Sequence, residues 1–137
     1  MIQYLFRRPV FPIICDLDGA LIAARSHRGF VPQVGQADVQ PGKHYTVIDA
    51  TGEGWSLVSD CMVVSPLTFR KRWTKKRIIE LFNNSDTAAK AGMAYSTRSL
   101  SSKRLARVVA DITALVCSAN RRVRRPRRPG NGSENRA

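Results

Sequence analysis

Tyr45-Thr46-Val47-Ile48-Asp49, Thr51-Gly52-Glu53-Gly54 and Trp55-Ser56-Leu57-Val58 follow one another with a single residue, Ala50, between the first two. The outer runs are β-branched and aromatic, the middle one is turn material, and the arrangement predicts a β-hairpin. Cys61-Met62-Val63-Val64 supplies a third strand, ended by Pro66. Three adjacent strands with one apolar face form a small antiparallel sheet or part of a barrel. Upstream, Val10-Phe11-Pro12-Ile13-Ile14-Cys15 predicts a further short strand closed by the turn-prone Asp18-Gly19 pair. Residues 24–43 hold Gly29, Pro32, Gly35, Pro41 and Gly42 without an apolar period, which predicts an irregular connection.

Past this region the period changes. Thr74 is placed to cap a helix whose Ile78, Ile79, Leu81 and Phe82 share a face, and Asn83-Asn84-Ser85 ends the pattern. Ser85 or Asp86 caps a short second helix with Ala88, Ala89 and Ala91, closed near Gly92. Ser101 or Ser102 caps the longest helix, in which Leu105, Val108, Val109, Ile112, Leu115 and Val116 recur at spacings of three and four. After Asn120 no apolar period remains to offset the entropy of ordering, so the end of the chain is expected to be disordered. The predicted class is α+β: a β-rich part over 1–69, a basic helical part over 70–120 packed on it, and a disordered arginine-rich tail over 121–137.

At 137 residues and 15.3 kDa the chain has room for one ordinary domain, or a small domain with a tail, and not for two full enzyme domains. The charge is unevenly placed. Through Phe69 there are five basic and six acidic residues, a net of −1, whereas the remainder carries eighteen basic and four acidic, a net of +14. That asymmetry predicts a near-neutral folded part joined to a polyanion-binding part. The candidate phosphate-contacting residues fall into three groups: Arg70, Lys71 and Arg72 with Lys75, Lys76 and Arg77; Arg98, Lys103, Arg104 and Arg107; and Arg121, Arg122, Arg124, Arg125, Arg127 and Arg128. Such cations neutralise phosphates and release counterions irrespective of base sequence, and Trp73 could stack on a base or sugar. Three successive helices also have the count of a helix-turn-helix module, with Asn83-Asn84-Ser85 as its turn and Tyr95, Ser96, Thr97, Arg98 and Ser99 as groups for base edges. The glycine such a turn prefers is missing.

Ile13-Ile14-Cys15-Asp16-Leu17-Asp18-Gly19-Ala20-Leu21 resembles the first motif of haloacid-dehalogenase-type phosphotransferases. The resemblance covers about nine residues and implies Asp16 as the nucleophile toward phosphorus, Asp18 as general acid and base, and magnesium between carboxylates and phosphate. Ala20 stands where that family usually has threonine, Ser65 could supply its later serine or threonine, and its later lysine and paired acids are missing. Read without the resemblance, the two aspartates close a strand and accept local backbone hydrogen bonds.

Cys15, Cys61 and Cys117 form no CxxC pair, and their odd number argues against a disulfide framework. With only His27 and His44 beside them, a zinc site would need ligands from scattered loops. No cofactor is expected, and a reducing cytoplasm is the natural compartment. Residues 1–15 are too short and too soon acidic for a signal peptide, and no run approaches membrane-spanning length. The resulting expectation is a small, non-catalytic protein that binds DNA or RNA, or associates with nucleoprotein, through its basic half. A small magnesium-dependent phosphotransferase using Asp16 and Asp18, and an adaptor for an acidic protein partner, are the alternatives.

Overall fold

The computed structural model describes residues 2–67 and 72–124. In chain order the elements are β1 (Gln3–Tyr4), β2 (Ile13–Leu17), β3 (Ala20–Ala24), α1 (His27–Gln36), β4 (His44–Ile48), β5 (Gly54–Val58), β6 (Val63–Pro66), α2 (Lys75–Asn83), α3 (Asp86–Ala91), α4 (Ser99–Ser102) and α5 (Leu105–Arg124). The strands form one six-stranded sheet in the order β1-β6-β5-β4-β2-β3. The fold is α+β. The sheet is mixed, because β1 lies parallel to β6 while the other pairs are antiparallel. Its two ends, β1 and β3, do not pair with each other, so it is an open sheet and not part of a barrel.

The expected hairpin is β4–β5, in register from His44 opposite Val58 to Ile48 opposite Gly54. The first strand sits further along than expected, at Ile13–Leu17, and Asp18-Gly19 turns it directly into β3, a partner strand absent from the sequence reading. Residues 27–36, read as irregular, are helix α1. Ser26 caps it by accepting from the Gly29 amide, and Phe30 and Val34, one turn apart, are buried against the sheet. That cap and burial outweigh the weak helix propensity of Gly29 and Gly35 and the amide hydrogen missing at Pro32. Thr74 and Ser85 cap α2 and α3 as expected, and Gly92 ends α3 in the left-handed region. Ser101 and Ser102 belong to the short α4 and do not cap α5. Helix α5 continues to Arg124, past the expected start of the tail, and residues 125–137 lie outside the described residues.

Side chains alternate across the pleat and build two cores. Ile13, Cys15, Leu17, Ile22, Tyr45, Val47, Trp55 and Leu57 pack with α1 on one face. Ile14, Leu21, Ala23 and Ile48 pack on the other with Ile78, Ile79 and Phe82 of α2, Ala88 of α3 and Val108, Val109, Ile112 and Val116 of α5.

The β4–β5 loop is organised around Asp49, which is 1% exposed. Its Oδ1 accepts from the Thr51 amide (2.9 Å), the Thr51 hydroxyl (2.6 Å) and the Glu53 amide (3.1 Å). Its Oδ2 accepts from the Val10 amide (3.2 Å) and Trp55 Nε1 (3.1 Å). One carboxylate therefore ties the loop, the segment before β2 and the largest core side chain together. At the loop's tip Gly52 has φ +85° and a Cβ there would stand 3.0 Å from Leu105 and 3.1 Å from the Trp73 carbonyl, so only glycine lets α5 and the strand-to-α2 connection close in. We expect Asp49→Ala to lower the urea unfolding free energy by roughly 3 kcal/mol, since several buried donors lose a charged acceptor. Asp49→Asn should also be clearly destabilising, because an amide nitrogen cannot accept from both Val10 and Trp55.

Candidate functional site

Lys75, in the first turn of α2, sends its ammonium across to the end of α4, donating to the carbonyls of Leu100 (2.5 Å) and Lys103 (2.8 Å). Two basic groups some twenty-five residues apart in sequence are thereby held side by side. Arg72, Lys76 and Arg77 neighbour Lys75 along the chain, and Arg104 directly follows Lys103.

The cations divide by what else they touch. Lys75 is committed to the clamp. The Arg72 guanidinium donates to the Thr51 carbonyl (3.1 Å), and Arg77 lies 4.5 Å over the Trp73 ring. Lys103 and Arg107 converge on Asp111, at 2.9 Å and 3.0 Å. Lys76, Arg98 and Arg104 are exposed and have no side-chain partner among the described residues. Three lysine or arginine residues, with no acid, occupy the first turn of α2, beside the positive end of its dipole. Thr74 accepting from the Arg77 amide and the carbonyls held by Lys75 offset that charge only locally.

Asp111 is the counter-ion of this surface. Burial pushes its carboxyl up, but hydrogen bonds from Tyr95 (2.7 Å), Lys103 and Arg107, together with the Lys103 charge, outweigh that effect and hold it at about 2. Asn83 in turn brackets Tyr95, accepting from its amide (2.7 Å) and donating to its carbonyl (3.1 Å). Tyr95 is thus a buried positioning group for Asp111. The residues from Met93 to Thr97 are not helical, so this polar run sits on a connection, as its loop-like sequence leads one to expect, and not on a recognition helix.

Arg121 is exposed at the opposite end of α5, roughly 24 Å from Leu105 at 1.5 Å per residue. It lines a small cleft with Gln33, Cys117 and Asn120 and does not belong to the clamp surface. Arg122 and Arg124 lie on the last turn of the same helix. Arg70, Lys71, Arg125, Arg127 and Arg128 lie outside the described residues.

The acidic motif is a turn. Asp16 Oδ1 accepts from the Gly19 amide (2.7 Å), Asp18 adopts φ 55°, and Lys43 pairs with the Asp18 carboxylate. Gly19 has φ +101°, and a Cβ there would meet the Asp86 carboxylate at 2.8 Å, while the Asp86 amide donates to the Gly19 carbonyl (2.9 Å). Ser65 is on β6, three strand spacings or roughly 14 Å from β2, so the fold does not bring it to Asp16. Among the described residues no three side chains of histidine, cysteine, aspartate or glutamate gather as a metal site would require.

The histidines are not in irregular chain. His27 opens α1 with its Nδ1 at 2.7 Å from the Tyr4 hydroxyl, and His44 opens β4 with its Nδ1 at 3.3 Å from Ser56 Oγ. All three cysteines are free thiols: Cys15 buried, with burial pushing its thiol up, Cys117 half-buried and Cys61 exposed. No helix among the described residues is long and apolar enough to cross a membrane. No protein-family model, curated protein or solved structure matches the chain.

The Asp111 arrangement has a pH signature. Its folded value of about 2 lies below the unfolded carboxylate value of about 4, so its contribution is present above pH 4 and is lost as pH falls toward 2. Asp111→Asn should lower the thermal midpoint at pH 7. The gap between variant and parent should narrow steadily between pH 4 and pH 2 in melts followed by circular dichroism.

Proposed function

We propose that this protein is a non-catalytic nucleic-acid-binding or nucleoprotein-associated protein that contacts backbone phosphates through the surface around the Lys75 clamp. The observation that carries the reading is the clamp itself. It uses one cation to unite two basic groups, and Lys76, Arg98 and Arg104, close to its members along the chain, are exposed without side-chain partners among the described residues. A fold needing charge only for solubility would not collect cations beside the positive end of a helix dipole.

The division of labour follows from the contacts. Lys75, Lys103 and Arg107 position the surface, Lys76, Arg98 and Arg104 meet phosphates, and Arg72 and Arg77 are held at its border by Thr51 and Trp73. The arginines at 121, 122, 124, 125, 127 and 128 add a second, sequence-independent attraction for DNA or RNA. An exposed free thiol at Cys61 suits a reducing compartment such as the cytoplasm.

Replacing Lys76, Arg98 and Arg104 together by Ala should weaken binding to unrelated duplexes alike. The slope of log affinity against log salt should become shallower by about 0.9 for each lost contact on B-DNA. Filter binding at several salt concentrations measures both. Failure of the parent protein to retain either DNA or RNA at low salt would refute the proposal.

A further inference from the structure

The two edges of the sheet are treated differently. Along β3 the outward backbone groups are taken by side chains: the Leu21 amide donates to the Thr87 hydroxyl (2.7 Å), the Leu21 carbonyl accepts from Asn120 (3.0 Å), and the Ala23 carbonyl accepts from Gln33 (2.7 Å) and Cys117 (3.4 Å). Three helices thus close that edge against another strand. Among the described residues nothing comparable occurs on the opposite edge. The Gln3 and Leu5 amides donate inward to the Met62 and Val64 carbonyls of the β6 side, both at 3.0 Å, so the alternate residue, Tyr4, presents its amide and carbonyl outward.

The chain then exposes apolar surface at this same edge. The large hydrophobic residues left exposed among those described are Leu5 (46%) and Phe6 (91%), directly after β1, and Val10 (53%), which is bonded to Asp49 and Ala50 at the β4–β5 loop. Phe6 is held out by a γ-turn: the Arg7 amide donates to the Leu5 carbonyl at 2.7 Å, and Phe6 has φ 68°, a conformation rare and strained for an aromatic residue. Strain of this kind persists where the surroundings impose it and is concentrated at sites of interaction. Here it buries nothing.

Beside Phe6 lies an open cleft of 520 Å³ whose walls include Gln3, Tyr4, Arg8 and His27 and no carboxylate. The Arg7 charge is matched by Glu53, at 2.8 and 2.5 Å, and Arg8 lies 5.1 Å over the Tyr4 ring. Arg25 and Arg28 are exposed on either side of His27, which holds the Tyr4 hydroxyl. The rim is cationic, so pairing this edge with a second copy of a chain carrying +13 would set like charges together.

We propose that β1 is a docking edge for an extended acidic segment of a partner protein. The segment would add as a strand beside Tyr4, set an apolar side chain on Phe6 and place carboxylates near Arg8 and Arg28.

The test uses the whole isotope-labelled protein and a nine-residue peptide alternating Glu and Val, with a peptide carrying Lys for Glu as control. The acidic peptide should shift amide resonances within residues 3–8 and slow exchange of the Tyr4 amide, and the Lys peptide should do neither. Phe6→Ser removes no buried contact; it should weaken the acidic peptide at least tenfold and leave nucleic-acid retention unchanged. Equal binding of both peptides, no shift at residues 3–8, or indifference to Phe6→Ser would overturn the proposal. So would a dimer of the free protein that Phe6→Ser dissolves, which would assign the edge to a second copy. Displacement of the peptide by a single-stranded oligonucleotide would assign it to nucleic acid and overturn it likewise.

Discussion

The carboxylate of Asp49 is the constraint from which the rest of the arrangement follows. It is buried, it accepts five hydrogen bonds, and its donors come from the chain before β2, from its own loop and from the Trp55 indole. A buried anion is tolerable only when its oxygens are fully engaged, so the loop has one acceptable shape. That shape puts Gly52 where its carbonyl accepts from the Trp73 amide at 2.7 Å and where Leu105 closes over it. The entrance to α2 and the start of α5 are thus referenced to the same point of the sheet. The Lys75 clamp can form because both helices begin beside that loop.

The same economy explains how the two cores and the two edges differ. The face carrying α2, α3 and α5 also supplies Thr87, Cys117 and Asn120 to the β3 edge, so helix packing and edge protection come from the same elements. On the β1 side no described side chain takes up the outward backbone groups; its neighbours are His27 of α1, bonded to the Tyr4 hydroxyl, Arg8, stacked on Tyr4, and the left-handed Phe6. The exposed cations Lys76, Arg98 and Arg104 and the cationic, partly apolar strand edge beside Tyr4 are the two features on which the proposals rest.

Much of this was legible in the sequence where local chemistry and tertiary packing agree. The alternation over Tyr45 to Val58, the caps at Thr74 and Ser85, Gly92 and the three-and-four spacing from Leu105 to Val116 all specify their elements locally. The missed elements depend on the far side of the fold. Ala20–Ala24 has low strand propensity at its alanines and becomes a strand because β2 pairs with it and side chains of α1, α3 and α5 bond its outer edge. Helix α1 carries two glycines and a proline, and its signal was the Ser26 cap with Phe30 and Val34 one turn apart. Of the candidate site, the cations were visible as composition. Which of them position and which remain open depended on Leu100, Lys103 and Asp111 being brought to them, and spacing in sequence cannot show that. Phe6 was overlooked because a lone aromatic before two arginines carries no period; its sign was exposure.

The most direct measurement of the central claim is an amide chemical-shift map of the whole protein on addition of a mixed-sequence duplex, of DNA and separately of RNA, at low salt. The shifts should cluster within residues 72–77 and 98–107 and disappear as salt is raised, while α1 and β1 stay unchanged. Shifts confined to Arg121 and the residues after it, with none around Lys76 and Arg104, would show that the surface built on the Lys75 clamp does not meet phosphates and would contradict the account.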